Sequence, residues 1–439
     1  MLLIRNFREG ICEMELIHKA KEVYGISREL PLNYVERAEV DDLFKQSLNR
    51  DKHIVVFGSS KQGKTSLRKK CLKEEEYIVI HCSNKWTMAE INTNILKRAG
   101  YEITQSTKKT VSGKNKVIAS LKSLLPIPGM TASVKGEAET GRQTEVTKTE
   151  LELDVEDVND IIAALKNMSF NKFILLEDFH YLPIEVQRDF SIALKAYHEN
   201  SSFCFVIIGV WLDENRLIIH NGDLTGRIVS VNADKWSSKQ LLEVIEEGEK
   251  LLNITFTDKF KAELLELCFD SVYLVQEACY LACLQSGIEQ TVEDIVEIGK
   301  DISVSSIVKY IVDQQSGRYN SFIINFADGF QTTVLEMYKW ILYPILNSEI
   351  QQLERGLKYS EMRVMIEKKH PRGEELNPGN ITQALKSTAS LQVAKSIQPI
   401  ILDYDETNLR IHVVDKGFLI WLSMQDNSEL LSLAGLPIK

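Results

Sequence analysis

Stretches of mostly apolar residues recur through the first half of the chain. They cover residues 54–57, 77–81, 173–176 and 203–211. A strand that is apolar at every position fits the centre of a parallel sheet, where both faces are covered. Residues 86–99 read as a helix between two of these strands. The pattern therefore predicts an α/β core built on a parallel sheet.

Longer periodic segments dominate the second half. Helices are predicted at 237–252, 257–268, 271–286, 333–346, 359–369, 380–396 and 417–424, with a hairpin at 399–414. We divide the chain accordingly into an N-terminal helical segment (1–32), a core (33–235), a helical lid (236–330) and a C-terminal unit (331–439).

Composition bounds the class of protein and its compartment. The chain has 439 residues, enough for two to four domains, and 44% of them are hydrophobic and 26% charged. No apolar run approaches the about 20 residues that a membrane helix needs. The first ten residues lack the apolar region of a signal peptide, and the seven cysteines form no C-x-x-C pair. We expect a cytoplasmic protein without membrane contact.

A glycine-rich turn follows the first apolar strand. Gly58, Gly63, Lys64 and Thr65 match G-x-x-x-x-G-K-[ST], in which backbone N–H groups surround a phosphate chain. The lysine reaches the terminal phosphates and the hydroxyl binds Mg²⁺. The predicted ATP-binding residues are Gly58, Ser59, Ser60, Lys61, Gln62, Gly63, Lys64, Thr65 and Ser66. ATP and Mg²⁺ are thus the expected cofactors.

Two carboxylates, Glu177 and Asp178, follow the apolar strand at 173–176. Side chains at the carboxyl ends of parallel strands fall where ligands bind in such sheets. We assign Glu177, together with Thr65, to the metal, and Asp178 to orienting the attacking water. The usual order in related ATPases is Asp before Glu, and the shorter Asp178 predicts slow hydrolysis.

The wider pattern resembles the AAA+ and STAND-like ATPases, including replication initiators and ATPases of bacterial conflict systems. Arg37 and Glu39 match their Arg-x-Glu-x-x-x-Leu box. In those families this box packs beside the adenine, which implies a cofactor-binding role for Arg37 and base contacts for Tyr34 or Val35. The resemblance covers residues 30–300 and implies an AAA+-like P-loop NTPase core with an α-helical lid.

The same resemblance assigns Arg227 as an arginine finger that enters the site of a neighbouring subunit, so it implies a homo-oligomer. A surface ion pair is the alternative for Arg227. The strand at 203–211 ends in Gly-Val-Trp without the polar sensor residue of many AAA+ proteins, and the lid helix that starts near residue 271 lacks their second sensor arginine.

A long insertion, about residues 103–155, separates two core strands. Its first part carries six lysines and no acid: Lys108, Lys109, Lys114, Lys116, Lys122 and Lys135. They either meet phosphates or keep a loop solvated. Residues 145–153 alternate between polar and apolar types, which predicts an exposed hairpin strand.

Three helices and a hairpin in the C-terminal unit resemble a winged-helix domain. From 330 to 439 we count 12 Lys+Arg and 13 Asp+Glu, a net charge of −1, which is poor for binding phosphates. The presumed recognition helix offers Lys386 and Lys395, and a modest cluster beside it comprises Lys358, Arg363, Lys368, Lys369 and Arg372. DNA binding and docking on the protein itself or on a partner stay open, and His412 is predicted to be a buried structural residue.

Three functions remain. The first is a regulatory ATPase that switches between a closed and an assembled form and engages a protein partner or effector, with bacterial antiviral defence as a possible setting. The second is a DNA-engaging AAA+ ATPase of the replication or transposition type. The third is a nucleotide-binding scaffold that does not hydrolyse ATP. The formal charge of −10 favours the first.

Overall fold

The computed structural model describes residues 3–5, 14–26, 29–109, 115–123, 131–134 and 147–438. Strands β1 (Leu3–Arg5) and β2 (Met14–Leu16) pair antiparallel, and α1 (Ala20–Val23) follows. Within the described residues, the expected N-terminal helical segment is thus mostly not helical. Tyr24 packs into the lid, where its hydroxyl donates to the Ile245 carbonyl at 2.5 Å. A Cβ at Gly248 would lie 2.2 Å from that ring, so the close approach requires glycine.

The core begins with a π-helical turn (Ala38–Asp42) that runs into α2. Its further elements are β3 (His53–Phe57), α3 (Lys64–Cys71), β4 (Tyr77–His81) and α4 (Met88–Ala99), with α2 at Leu43–Leu48. The insertion then forms a four-stranded antiparallel sheet, in the order β5-β6-β8-β7. Its strands are β5 (Glu102–Lys109), β6 (Asn115–Ser123), β7 (Thr131–Val134) and β8 (Thr147–Leu153). The predicted strand at 145–153 is confirmed for residues 147–153.

The core resumes after the insertion. It continues with α5 (Val158–Asn167), β9 (Phe173–Glu177), α6 (Ile184–Asn200), β10 (Phe205–Ile208), α7 (Arg216–His220) and β11 (Ile228–Asn232). Five strands form one parallel sheet in the order β11-β3-β10-β9-β4. All positions of β3 and β10 are buried, as the apolar runs predict. The predicted α/β core is confirmed.

The lid is helical apart from two short parallel strands. Its elements are α8 (Ser238–Leu252), β12 (Ile254–Phe256), α9 (Asp258–Leu267), α10 (Val272–Gln285), β13 (Val296–Ile298), α11 (Val304–Asp313) and α12 (Ser316–Asp328). Cys279 and Cys283 are buried in α10, where they pack in the apolar core.

The C-terminal unit surrounds a three-stranded sheet in the order β14-β16-β15. Its elements are α13 (Met337–Asn347), α14 (Ile350–Arg355), β14 (Leu357–Lys358), α15 (Tyr359–Lys369), α16 (Pro378–Lys386), α17 (Thr388–Ala394), β15 (Leu402–Asp405), β16 (Arg410–Val413), α18 (Lys416–Ser423) and α19 (Asn427–Leu433). The single helix expected at 380–396 is two helices. Helix, strand, helices and hairpin follow in the order of a winged helix, which stays an interpretation of this unit.

The C-terminal unit lies against the core through a small apolar cluster. We call Val210, Val393, Ile400 and Val414 the docking cluster; Tyr181 and Ala389 pack against it. Val210 follows β10, whereas Val393 belongs to α17, within the presumed recognition helix. That helix therefore faces the core. Within the described part of the chain, no helix is both long and apolar enough to cross a membrane.

Candidate nucleotide-binding site

The loop between β3 and α3 contains the predicted phosphate-binding residues 58–66. Its φ angles are positive at Gly58 (144°), Lys61 (62°) and Gly63 (83°), a region that glycine adopts without steric cost. A Cβ at Gly58 would lie 3.1 Å from the backbone nitrogen of Asp234. The backbone path therefore favours glycine at both positions, most strongly at Gly58, and the loop ends at the first turn of α3, as a P-loop does.

Asp234 fastens this loop from the neighbouring strand. Its carboxylate accepts the Ser59 N–H at 2.8 Å and the Ser59 hydroxyl at 2.6 Å. Asp234 stands just after β11, which pairs with β3, so the two carboxyl ends lie side by side. Asp234 is not among the site residues predicted from the sequence. The available signal was an acid directly after the strand that leads into the lid.

Lys64 lies inside the loop. Its ammonium donates to the carbonyls of Gly58 at 2.9 Å and Ser59 at 2.5 Å. Burial lowers the pKa of Lys64 to about 8, against the opposing effects of Asp234, Asp178 and Glu177. Lys64 therefore carries its charge at neutral pH, and three carboxylates act on it.

The two acids at the end of β9 point to different partners. Glu177 is buried, and its Oε1 lies 3.1 Å from Nε of Arg68 on α3. Asp178 has a φ of 59°, and its carboxylate lies 3.8 Å from Nδ1 of His81, at the end of β4. Burial raises the pKa of Asp178, while His81 and Lys64 lower it. The half-exposed Asp178 is thus the freer of the two carboxylates.

Arg68 is a second residue that the sequence analysis missed. It lies one turn after Lys64 on α3, and its guanidinium competes with any metal for Glu177. The side chains of both partners are about nine-tenths buried, at 11% and 12% exposed. The residue types nevertheless fit Mg²⁺, because P-loop sites hold the metal through one hydroxyl, one carboxylate and the phosphates.

A pocket of about 560 Å³ opens beside the P-loop, within the usual range for ligand sites. Its walls come from residues 25–26 and 29–37, from the P-loop and from the lid. The largely apolar wall residues are Pro31, Tyr34, Val35, Trp236, Val244, Val272 and Tyr273. The predicted base contacts Tyr34 and Val35 therefore line it. Trp236 joins wall and loop, because its indole N–H donates to the Gln62 carbonyl at 3.4 Å.

Arg37 lines the same pocket, and its Nη1 donates to the protein, while its buried Nε has no hydrogen-bond partner among the described residues. It donates to the carbonyls of Ala233 at 2.8 Å and Lys235 at 3.3 Å, and its guanidinium stacks on Trp236 at 3.9 Å. Asp41 accepts the backbone N–H of Arg37 at 3.0 Å. These contacts show that Arg37 positions the Trp236 wall; direct contact with a nucleotide stays a prediction.

The strand β10 ends without a polar residue that could sense a phosphate, as the sequence predicts. The Trp211 ring folds back over Gly209, where a Cβ would lie 1.5 Å from it. The intervening Val210 donates its backbone N–H to Nδ1 of His180 at 3.2 Å and belongs to the docking cluster. This strand end is thus used to hold the C-terminal unit.

Arg227 lies at the other end of the sheet. Its carbonyl accepts the N–H of His53 at 2.9 Å, at the amino ends of β11 and β3, while the P-loop follows the carboxyl end of β3. Its guanidinium pairs with Glu199 at 2.8 Å and donates to the Asp223 carbonyl. Within one chain, the structure therefore shows the surface ion pair, and the trans role stays a prediction.

Among the insertion lysines whose side chains are described, Lys108 and Lys116 face an acid, and Lys109 is exposed. Lys108 pairs with Glu152 of β8 at 2.7 Å, and Lys116 lowers the pKa of the same carboxylate. Lys114 and Lys135 lie outside the described residues, as does the side chain of Lys122. Phosphate contacts by these lysines would have to compete with Glu152.

Three of the cations near the presumed recognition helix are also matched by acids. Arg363 pairs with Glu367 at 2.6 Å, and Arg372 and Lys386 each pair with a glutamate, Glu375 and Glu406. His412 is largely buried, and burial lowers its pKa, which agrees with a structural histidine.

The strand order decides the fold class. One strand, β10, separates the P-loop strand β3 from the acidic strand β9, and β11 flanks β3 on the other side. The core has a P-loop NTPase fold that resembles the AAA+ type.

No protein-family model and no curated protein matches the sequence. Solved structures with a similar fold include a Walker-type ATPase of Pyrococcus abyssi (TM-score 0.46, 12% identity, 89% of this chain and 96% of that chain covered). Another is the Orc1 protein of Aeropyrum pernix in complex with DNA (0.40, 11%, 94% and 97%). A third is RuvB of Thermotoga maritima (0.35, 12%, 86% and 90%). At these scores and identities, the likenesses carry no argument about ligand, activity or partner.

Proposed function

We propose that this AAA+-like protein is an ATP-binding switch ATPase that hydrolyses ATP slowly and whose nucleotide state controls the docking of its C-terminal unit. Residues 58–66 hold the phosphates, and Tyr34 and Val35 contact the base. Thr65 and Glu177 hold Mg²⁺. When bound, the metal supplies positive charge that offsets the charge developing on the transferred phosphoryl group.

One hydrogen bond carries this proposal. The backbone N–H of Ser60, in the P-loop, donates to the carbonyl of Val414 in the C-terminal unit at 3.0 Å. P-loop N–H groups are the donors that receive phosphate oxygens. In this structure, a donor of the P-loop is bonded to the C-terminal unit. A change in the loop on nucleotide binding therefore acts directly on the docked unit.

Further contacts support the coupling. Asp415, the next residue, accepts from Arg318 of α12 at 2.6 Å. Lys416 reaches the Asp270 carbonyl at 3.4 Å, and the same carbonyl accepts from the Gln62 side chain at 3.3 Å. P-loop, lid and C-terminal unit therefore meet at one place.

The residues around the loop divide the chemistry between them. Lys64 contributes a fixed positive charge to the terminal phosphates. Asp178 orients the water and takes up its proton. Burial raises the pKa of Asp178, although its side chain is half exposed. Glu177 reaches the metal only after leaving Arg68, and this competition supports a low rate.

Hydrogen–deuterium exchange of the full chain tests the switch. We expect exchange in α17 (Thr388–Ala394) to change when ATPγS and Mg²⁺ are added, while α4 (Met88–Ala99), remote from the docking cluster, stays constant. In Lys64→Ala the α17 response should vanish. Binding of ATPγS without any change in α17 would refute the switch, and absence of binding would refute the nucleotide site itself.

A second candidate is the scaffold that binds ATP without hydrolysis. The Arg68–Glu177 ion pair favours the scaffold, because Arg68 occupies the carboxylate that would otherwise bind the metal. Arg68→Gln separates the two: a switch ATPase should become several-fold faster, whereas a scaffold should stay at the background rate of phosphate release.

The active form in this proposal is a homo-oligomer in which Arg227 completes a neighbour's site, and the undocked C-terminal unit presents α17 to a protein partner or effector. DNA would need the same face, since α17 lies against the core in the docked form. A setting in bacterial defence follows from the resemblance alone. Sedimentation of the ATPγS-bound protein, with and without duplex DNA, tests both associations.

A further inference from the structure

A second cavity, of about 490 Å³, lies between the core and the C-terminal unit. Its core wall is formed by the turn after Asp178 and by the starts of α6 and α7, and its other wall by α16, α17 and β15. It is separate from the nucleotide pocket, since the residues that line the two do not overlap.

His180 presents a buried donor to this cavity. Its Nδ1 accepts the Val210 N–H at 3.2 Å, which places the imidazole hydrogen on Nε2. Burial holds the pKa of His180 well below its usual range, so the ring is neutral. Nε2 has no hydrogen-bond partner within the described part of the chain, although the residue is only 3% exposed.

Three further polar groups on the cavity wall, on Gln187, His220 and Tyr404, have a buried atom without a hydrogen-bond partner among the described residues. Gln187 donates its amide NH₂ to the Leu182 carbonyl at 2.8 Å, which leaves Oε1 as a buried acceptor. The Tyr404 hydroxyl is buried too, and burial raises its pKa to about 12, so it stays protonated. Buried polar groups without partners cost free energy, and four on one cavity indicate a ligand.

The charges on the wall restrict that ligand. Arg216 is held by Asp403 through contacts of 3.0 and 2.9 Å, and Lys386 is paired with Glu406. Asp213 and Glu185 add two more acids. A phosphate would face four carboxylates with both cations engaged, and a cation would face the Nε2–H of His180 and the Arg216 guanidinium. An uncharged ligand fits best.

Apolar side chains, among them Leu182, Pro183, Ile184, Ala389 and Val393, complete the wall. A compound that combines an apolar ring face with a hydrogen-bonding edge suits such a site. It would accept from both His180 and Tyr404 and donate to Gln187.

We propose that this cavity binds an uncharged heterocycle of nucleobase or nucleoside type, with an acceptor and a donor on one edge. Because such a ligand contacts both walls, it stabilises the docked C-terminal unit. It also contacts the turn that follows Asp178, so its occupancy acts on the acidic pair. The binding site stands on its own geometry; only the effect on docking rests on the proposed switch.

The test uses the full chain saturated with ADP, so that the nucleotide pocket is filled. Adenosine, guanosine, cytidine, uridine and the four free bases are titrated by calorimetry and by saturation-transfer NMR. We expect at least one to bind, and Tyr404→Phe to weaken it about tenfold, the loss of one hydrogen bond. Tyr359→Phe, in the same unit but outside the cavity, should bind normally.

Two further measurements keep the proposal falsifiable. Ser390→Trp, at an exposed position of the wall, should abolish nucleoside binding while ADP affinity is unchanged. Tyr404→Phe should leave the melting temperature of the ligand-free protein the same or higher, because it removes a hydroxyl without a partner.

No binding of any probe at millimolar concentration, or equal binding by Tyr404→Phe, would overturn the proposal. A cavity that holds only water would show no binding and a lower melting temperature for Tyr404→Phe. Loss of ADP binding would instead contradict the assignment of the nucleotide site.

Discussion

The two edges of the core sheet carry very different sets of side chains. At the carboxyl edge, the carboxylates of Glu177, Asp178 and Asp234 all act on the Lys64 ammonium. At the amino edge, Arg227 is paired with Glu199 and donates to the Asp223 carbonyl, and Lys195 is paired with the Asp223 carboxylate. One edge gathers three carboxylates around the ammonium inside the P-loop, and the other carries ion pairs at the surface.

This difference shows at which edge of the sheet a chain can complete its own nucleotide site. Strands that run parallel bring all their carboxyl ends together, so residues far apart in sequence meet there. Arg227 precedes a strand of the same sheet and therefore lies about one strand length away from the P-loop, at roughly 3.3 Å per residue. It can serve only the site of a second copy, if it serves one.

The largest expected effect is on the rate of ATP hydrolysis, and it tests Arg227 as an arginine finger. Arg227→Ala should lower the rate of ATP hydrolysis by about 10³–10⁵, the range known for arginine fingers, without changing ATP affinity. An equimolar mixture with Asp178→Asn should regain activity, since about one site in four then combines an intact Arg227 with an intact Asp178 in a closed ring. Steady-state phosphate release measures it.

Glu199→Gln is the matched control, because it removes the ion pair and leaves the guanidinium. It should hydrolyse ATP at the wild-type rate or faster. If Glu199→Gln were as inactive as Arg227→Ala, the ion pair would be structural and the finger assignment wrong. A rate per chain that does not depend on protein concentration, from a particle of monomer mass, would contradict it equally.

The next effect concerns the acidic pair. Asp178→Asn should slow hydrolysis by about 10²–10⁴, as the loss of a general base does, while ATP still binds. Glu177→Gln should instead raise the Mg²⁺ concentration needed for half-maximal rate. Single-turnover rates at several Mg²⁺ concentrations separate the two roles. Equal responses of both variants would show that the roles are misassigned.

Lys64→Ala tests the carboxyl edge itself. We expect ATP affinity to fall about 100-fold, because charge-assisted bonds to the phosphates are lost. Thermal unfolding should be nearly unchanged or shifted upward, because a buried ammonium is removed. Lys70→Ala, on the outer side of the same helix, is the control and should bind ATP normally. Unchanged affinity in calorimetry would refute the phosphate site.

Much of the fold and of this site could be predicted from the sequence, for a physical reason. The P-loop needs glycine where φ is positive, and a lysine and hydroxyl at fixed offsets, so its residues are close in sequence. Central strands need apolar residues at every position. These are local requirements, and the strands β3, β9 and β10 follow from them.

The remaining site residues depend on which elements become neighbours. Asp234 holds Ser59 only because β11 pairs with β3, and Val414 reaches Ser60 across more than 350 positions of sequence. In the sequence, Arg68 cannot be distinguished from the other cationic residues of α3. No local pattern distinguishes such residues, so the contact of the C-terminal unit with the P-loop became visible only in the structure.

The smallest expected effect is the pH dependence of ATP binding. Burial lowers the pKa of Lys64 from 10.5 to about 8, and the charged form is the one that binds phosphate. ATP affinity should therefore be constant between pH 7 and 7.5 and fall above pH 8, by up to about tenfold per pH unit. Lys64→Ala should show no such fall.

The stability of the nucleotide-free protein should respond in the opposite direction. The folded state holds fewer protons than the unfolded chain between pH 8 and 10.5, the folded and unfolded pKa values of Lys64. The contribution of Lys64 to the free energy of unfolding therefore rises with pH across this window. Bound ATP, an anion beside the ammonium, raises the pKa of Lys64, so this rise should shrink when ATP is present. Thermal unfolding of wild type and Lys64→Ala at matched pH, with and without ATP, measures the difference. A wild-type pH profile that coincides with that of Lys64→Ala would show that Lys64 keeps an ordinary pKa and that the carboxyl edge is less buried than the structure describes.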